Sequence, residues 1–177
     1  FIKDKEIVKK LSEDVLEMEK MLNEYLQFTR AGVKEKTEKF NLINLIKLTI
    51  KKYNNSNIIF NNNHNIYYYG RKNHIQRCIN NLINNSIKYG TKILIKVESF
   101  KNNLSIYIED NGPGIPISEH ENVFKPFYKI DKSRSDSKSS VGLGLSISSD
   151  IVRSHGGNIE LSKSNMGGLK VKISLPA

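Results

Sequence analysis

The chain has no tryptophan, one cysteine, four prolines and few aromatics. A single thiol, Cys78, excludes an internal disulfide framework and fits a reducing compartment. No apolar run approaches the roughly 18 residues that a membrane-spanning helix needs, and nothing is laid out like a secretory signal. Apolar residues amount to 38%, below the roughly 45–50% of an average domain, a figure that also counts glycine. Acid is scarce as well: 28 Lys+Arg face 18 Asp+Glu, for a formal charge of +10 over 177 residues. Those cations are spread among Asn, Ser and Glu, with no zinc spacing, basic heptad or aromatic RNA-binding motif beside them. A nucleic-acid backbone selects for cations gathered on one face, so the charge does not point to nucleic acid.

What remains is enough for one domain and an appendage, with roughly 70% of the unfolded surface buried on folding. Phe1 stands where a complete chain would have Met, and helical patterning begins almost at once, which suggests a piece of a longer protein. Leu11, Val15, Met18, Leu22 and Tyr25 recur at the alternating spacing of a bundle or coiled-coil seam, with Gly32 as C-cap. One narrow apolar stripe with no partner nearby predicts a dimer or bundle contact. After a polar connection from Val33 to Lys39, Asn41 is placed to cap a helix carrying Leu42, Leu45, Ile46 and Ile50 as far as Tyr53. Strand-like runs follow at Asn57–Phe60 and Ile66–Tyr69, then a helix over 72–89 with Ile75, Ile79, Leu82 and Ile83 on one face. Lys92–Phe100 and Leu104–Glu109 alternate apolar and polar residues around Lys101-Asn102-Asn103, a hairpin. A Gly/Pro/Ser-rich loop runs from Asp110 to Val141, with a short helix near Ile117–Val123 and a low-complexity stretch at 131–140. A helix over Leu143–Ser154 and a hairpin of Ile159–Ser162 and Leu169–Leu175 close the chain. The order predicts an α+β domain: one mostly antiparallel or mixed sheet with its helices on one face.

Three segments carry chemistry. In Asn81-Leu82-Ile83-Asn84-Asn85-Ser86-Ile87-Lys88-Tyr89 the two carboxamides of Asn81 and Asn85 share a helix face, able to ligate a metal without bringing charge. Lys88 and Tyr89 offer a cation and an aromatic plate one turn on. Asp110-Asn111-Gly112-Pro113-Gly114-Ile115 puts a fixed acceptor at a strand end beside closely approachable backbone, which suits an exocyclic amino group; an ordinary Asn-Gly turn is the plainer alternative. Gly142-Leu143-Gly144-Leu145 opens a helix, where backbone N–H groups and the helix dipole meet anions.

In this order, with Phe124-Lys125-Pro126-Phe127-Tyr128-Lys129 between the second and third, the segments resemble the N, first-glycine, F and second-glycine boxes of the sensor histidine kinases, the osmosensors most of all. That family binds ATP in a Bergerat-type fold of the GHKL superfamily, an α/β sandwich whose mixed sheet is covered by helices on one face. The resemblance runs from about residue 37 to the C-terminus, where His155-Gly156-Gly157 and the closing strand up to Pro176 match the family's ending. It implies that residues 1–32 are part of the dimerisation and phosphotransfer hairpin, as a long dimerisation helix without the acceptor-His helix, and that 37–177 are the catalytic ATP-binding domain. By the same resemblance Asn85 ligates Mg²⁺ with Asn81 one turn earlier, Lys88 faces phosphates, and Tyr89 packs on adenine. Asp110 accepts from adenine N6, Gly112 and Gly114 shape its wall, and Gly142, Leu143, Gly144 and Leu145 lie beneath the phosphates. Lys129 stands where the family usually has an Arg reaching the γ-phosphate; it keeps the charge without the bidentate fork. Ser140-Val141 replaces the usual leading Gly-Thr of the last box.

Hydrolytic members such as DNA gyrase carry a Glu base four residues before the metal Asn. Here Asn81 fills that position, and a carboxamide takes no proton at useful pH. Transfer to a protein nucleophile remains open, since positioning and Mg²⁺ supply most of the catalysis. The family's nucleophile is a His on the first dimerisation helix, and none of His64, His74, His120 and His155 has that surrounding pattern. Cys78 reads as a small buried apolar residue. The implied activity is therefore a histidine protein kinase of two-component signalling: γ-phosphate from Mg-ATP to a His beyond this chain, then to an Asp of a response-regulator receiver. Homodimerisation through the first helix, a cytoplasmic location, and a parent protein held in the inner or plasma membrane by its upstream part go with it. A GHKL-type ATPase and a degenerate, non-catalytic dimerising scaffold are the alternatives.

Overall fold

The computed structural model describes residues 2–31, 35–53, 57–62, 64–130 and 141–176. Helix α1 (Ile2–Ala31) is followed by β1 (Glu38–Asn41), α2 (Leu42–Ile50), β2 (Asn57–Phe60), β3 (Tyr67–Gly70) and α3 (Lys72–Tyr89). The hairpin β4 (Lys92–Phe100) and β5 (Asn103–Asp110) comes next, then 3₁₀ turns at Ile117–Glu119 and Asn122–Phe124, α4 (Gly144–Arg153), β6 (Asn158–Lys163) and β7 (Leu169–Pro176).

Five strands form a mixed sheet in the order β2-β4-β5-β7-β6, antiparallel except where β2 runs parallel to β4. The period-two pattern sends Ile93, Ile95 and Val97, then Leu104, Ile106 and Ile108, then Leu169, Val171, Ile173 and Leu175 to one buried face. Against it pack Leu42, Ile43 and Ile46 of α2, Ile75, Ile79, Leu82 and Ile83 of α3, and Ile147, Ile151 and Val152 of α4. Each of these side chains contributes about 1.5–3 kcal/mol when fully buried. The sandwich of sheet and helices is the α+β layering that the sequence predicts.

Four expectations need correction. The strands do not form one sheet: β1 and β3 pair antiparallel as a separate two-stranded ribbon. Strand β1 itself falls at the end of what the sequence presents as a polar connection, because Phe40 is its one buried residue and packs edge-on against Tyr68 of β3. The helix begun by Asn41, whose Oδ1 accepts from Asn44 N at 3.0 Å, stops at Ile50 rather than Tyr53. Tyr53 instead turns its hydroxyl onto Asn84 Oδ1 of α3 at 2.9 Å. The short helix expected after the first glycine segment is a pair of 3₁₀ turns. Gly32, residues 33–34 and the 131–140 stretch lie outside the described residues.

Glu35 fixes the start of α3. Arg71, at the N-cap, makes no side-chain capping bond, and Glu35 fills that role from the preceding segment. Its Oε1 accepts from Asn73 N at 2.6 Å and its Oε2 from His74 N at 3.2 Å.

Candidate functional site

The site grows from the end of β5. Asp110 is buried, 4% exposed, at the centre of the sheet's rim. Its Oδ1 accepts from Gly112 N at 2.9 Å and Leu169 N at 3.1 Å, and its Oδ2 accepts from Ser86 Oγ at 3.2 Å. A carboxylate offers about four lone-pair positions, so three donors fix the group and leave Oδ2 able to accept one more hydrogen. The wall beside it is backbone. A β-carbon on Gly168 would lie 2.3 Å from Asp110 Oδ1 and 2.4 Å from Gly112 N, so only glycine permits the β7 end to close this far. Gly112 approaches the carbonyl of Tyr89, and Gly114 approaches Gly168. Asn111 turns the other way, its Oδ1 accepting from Thr91 N at 2.8 Å and Lys92 N at 2.9 Å, which ties the strand end to the loop after α3.

Helix α3 carries the second part. Asn81 Nδ2 donates to Gly144 O at 3.3 Å, and a β-carbon on Gly144 would stand 3.8 Å from the Asn85 amide nitrogen and 3.9 Å from its oxygen. Both carboxamides therefore face the first turn of α4. Ser86, next to Asn85, links this turn to Asp110. At the last turn of α3, Tyr89 is 51% exposed and Lys88 Nζ stands 5.1 Å from its ring centroid.

The third part is Gly142, at φ +83°, where a β-carbon would meet the Tyr128 carbonyl at 2.9 Å. Its carbonyl accepts from Phe127 N at 3.1 Å, so the Phe124–Tyr128 segment rests on the glycine turn. Tyr128 Oη donates to Glu119, which raises the phenol's pKa and anchors the segment. Lys129 follows, half-buried. Leu143 is buried, and Leu145 packs against the core behind the turn.

Asn81, Asn85, Asp110, Gly112, Gly114, Gly142 and Gly144 thus lie along one rim formed by α3, the end of β5 and the start of α4. Three partners were not singled out from sequence: Ser86, Gly168 and Leu169. Ser86 is one Ser among many, and the other two reach Asp110 across the whole intervening chain; the paired Gly167-Gly168 was the one available signal.

The remaining candidates are structural or surface residues. Cys78 is wholly buried, its Sγ 3.9 Å from Ser148 O of α4, and burial pushes its thiol up to about 12. His155 donates from Nδ1 to Ile151 O at 2.7 Å and accepts at Nε2 from Arg71 N at 3.1 Å; desolvation lowers its pKa. His74 is buried 3.7 Å from Glu35, His120 sits against Ile115 O, and His64 is exposed.

The donor set bears on which groups fit. Among the described residues no cluster of three or more His, Cys, Asp or Glu could cage a metal. A carboxamide oxygen suits Mg²⁺, a hard ion that keeps waters and binds largely through substrate phosphates, and the helix start beside it suits those phosphates. At Gly168 and Gly142 the missing β-carbon lets protein atoms close in, Asp110 Oδ1 and Gly112 N at the first and the Tyr128 carbonyl at the second.

A family model described as "Histidine kinase-, DNA gyrase B-, and HSP90-like ATPase" matches residues 70–177, more than half of the chain. The chain belongs to that family. Among its relatives in this ATPase family is the sensor histidine kinase GtrS of Pseudomonas aeruginosa, 34% identical over 109 residues, covering 62% of this chain and 22% of the relative. Sensor histidine kinase CpxA of Escherichia coli is 33% identical over 109 residues, 61% of this chain and 24% of its own length. The chain thus spans less than a quarter of these relatives. The solved histidine kinase domain of the E. coli osmosensor EnvZ superposes with a TM-score of 0.63 at 28% identity, over 82% of this chain and 92% of that one. The ATP-binding sandwich of the sensor histidine kinases is therefore the fold of this chain. Among the described residues no helix is long and apolar enough to cross a membrane.

Proposed function

We propose that residues 37–177 are the catalytic domain of a sensor histidine kinase, holding Mg-ATP along the rim and presenting its γ-phosphate to a His beyond this chain. The observation that carries this reading is Asn81. It stands one turn before Asn85, faces the start of α4, and spends one of its two amide hydrogens on Gly144 O. A neutral group committed in this way cannot draw a proton from water, so the site suits transfer to a protein nucleophile better than hydrolysis. In the proposed complex the free position on Asp110 Oδ2 accepts from adenine N6. Tyr89 covers the base, and Gly112 and Gly114 line its edge. Lys88 and Lys129 meet the phosphates, and the backbone of Gly142, Leu143, Gly144 and Leu145 at the α4 start turns its N–H groups toward them. Asn85 would hold Mg²⁺, which supplies charge neutralisation between the phosphate oxygens.

Phosphate passed to the His moves on to an Asp of a response regulator. Residues 1–32 are proposed as part of the hairpin that makes the whole protein a homodimer, and a cytoplasmic domain of a membrane-held sensor fits this arrangement. The test is incubation with γ-labelled ATP and Mg²⁺. The chain alone is expected to bind nucleotide and stay unlabelled, and a protein that includes the upstream helix is expected to take up label at His. Stoichiometric label on this chain, or steady multiple-turnover phosphate release from it, would overturn the reading, the second outcome in favour of a GHKL-type ATPase.

A further inference from the structure

Beside Asp110 on β5 lies a second buried acid. Glu109 is 4% exposed and leaves the strand on the opposite face, away from the rim. Its Oε2 accepts from Ser164 Oγ at 2.9 Å, and its Oε1 stands 3.6 Å from Lys170 Nζ. Ser164 opens the turn between β6 and β7 and is itself buried. Its hydroxyl oxygen accepts from Met166 N at 3.0 Å, its N–H donates to Gly168 O at 2.9 Å, and its carbonyl accepts from Gly167 N at 3.0 Å. A hydroxyl offers one donor and two acceptor positions, and here the donor is spent on Glu109 while an acceptor holds the turn. The far side of the same turn delivers Gly168 N to Asp110 O at 3.2 Å and Leu169 N to Asp110 Oδ1 at 3.1 Å. Within the turn, Gly167 at φ +101° has nothing within 4 Å of where a β-carbon would stand. Packing at that point cannot hold the loop.

We propose that Glu109 and Ser164 are positioning residues for the adenine pocket, pinning the 164–168 turn so that Gly168 and Leu169 close on the Asp110 carboxyl. The inference rests on the nucleotide reading above and adds a part to it. Adjacent acids on one strand divide the work: Asp110 meets the ligand on the rim, and Glu109 holds the wall from behind. Without the Glu109–Ser164 bond the turn moves away, Leu169 N leaves Oδ1 and Gly168 N leaves the Asp110 carbonyl, and the carboxyl loses its fixed direction toward an exocyclic amine.

The experiment compares ATP with purine riboside triphosphate, which lacks the 6-amino group, by calorimetry with Mg²⁺ on the full chain. Ser164→Ala is expected to weaken ATP about tenfold, the worth of a well-made hydrogen bond, and to leave the purine analogue within about twofold. Amide exchange at Gly168 and Leu169 should quicken at the same time. Glu109→Gln, which keeps an acceptor oxygen for Ser164, should restore ATP binding to near the parent value, and Glu109→Ala should not. Ser164→Cys, similar in shape with a weak donor, carries the same expectation should the alanine variant not fold. Equal loss of both nucleotides, or unchanged ATP binding and exchange in Ser164→Ala, overturns the proposal. If the parent chain binds neither nucleotide, the adenine reading fails, and the exchange rates alone decide whether Glu109 holds the turn.

Discussion

On the proposed reading, Asp110 would set specificity by a count of hydrogens. Two backbone donors occupy Oδ1 and one hydroxyl occupies Oδ2, leaving a single acceptor position at the rim. Asp110→Asn keeps the shape and leaves an oxygen for the two backbone N–H groups, but turns the Oδ2 position into a donor. That donor would oppose the amine it should receive, and calorimetry should show ATP binding at least about tenfold weaker. Asn85→Asp should weaken binding as well, by setting a negative charge among phosphates; undiminished affinity in both variants would remove the site from this rim. His155 gives a different kind of forecast. Burial lowers its folded pKa below the ordinary 6.5, so the unfolded chain binds more protons in the interval between the two values. Its contribution to stability is complete above 6.5 and is lost as the pH falls through that value toward the folded pKa. Denaturant midpoints should therefore drop on acidification across that interval, and His155→Gln should flatten the slope.

At the scale of elements, local pattern and long-range contact divide what could be read in advance. The helix over Lys72–Tyr89, the β4–β5 hairpin and the glycines at the start of α4 announce themselves by periodicity and turn chemistry within a few residues. Asp110, Asn81, Asn85 and Gly144 were legible for the same reason: each sits in a short segment with its own signature. Strand β1 was not, because a strand with one buried residue in four leaves no alternation to detect, and its pairing depends on β3, which lies beyond α2 and β2. Ser86 and Leu169 were hidden by distance along the chain, 24 and 59 residues from the carboxyl they serve. Helix α1 presents the converse case. Its stripe was plain, and Leu11, Val15, Met18 and Leu22 are all more than half exposed; the Tyr25 side chain lies outside the described residues. Burying such a row against its copy is the proposed role, so Leu22→Glu should shift the intact protein toward monomer in sedimentation, and an unchanged dimer would place the interface elsewhere.

At the scale of the whole molecule, the rim is where separate parts of the chain converge: α3 from one side, the start of α4 from another, and the β6–β7 turn from behind. The thiol between α3 and α4 has a use in this light. Cys78 is the chain's one cysteine, closed off at the contact with Ser148, and burial keeps it in its unreactive protonated form. A disulfide reagent can reach it only while those helices part, so each labelling event records one breathing excursion of the pair, with no second thiol to confuse the signal. A nucleotide spanning Asn85 and Gly144 would stitch the two helices together, and the labelling rate should fall as Mg-ATP is added. A rate indifferent to saturating nucleotide would mean that the helices part as freely with the ligand as without it. The scarcest side chain in the sequence is, on this account, a stopwatch set between the two helices whose parting it would time.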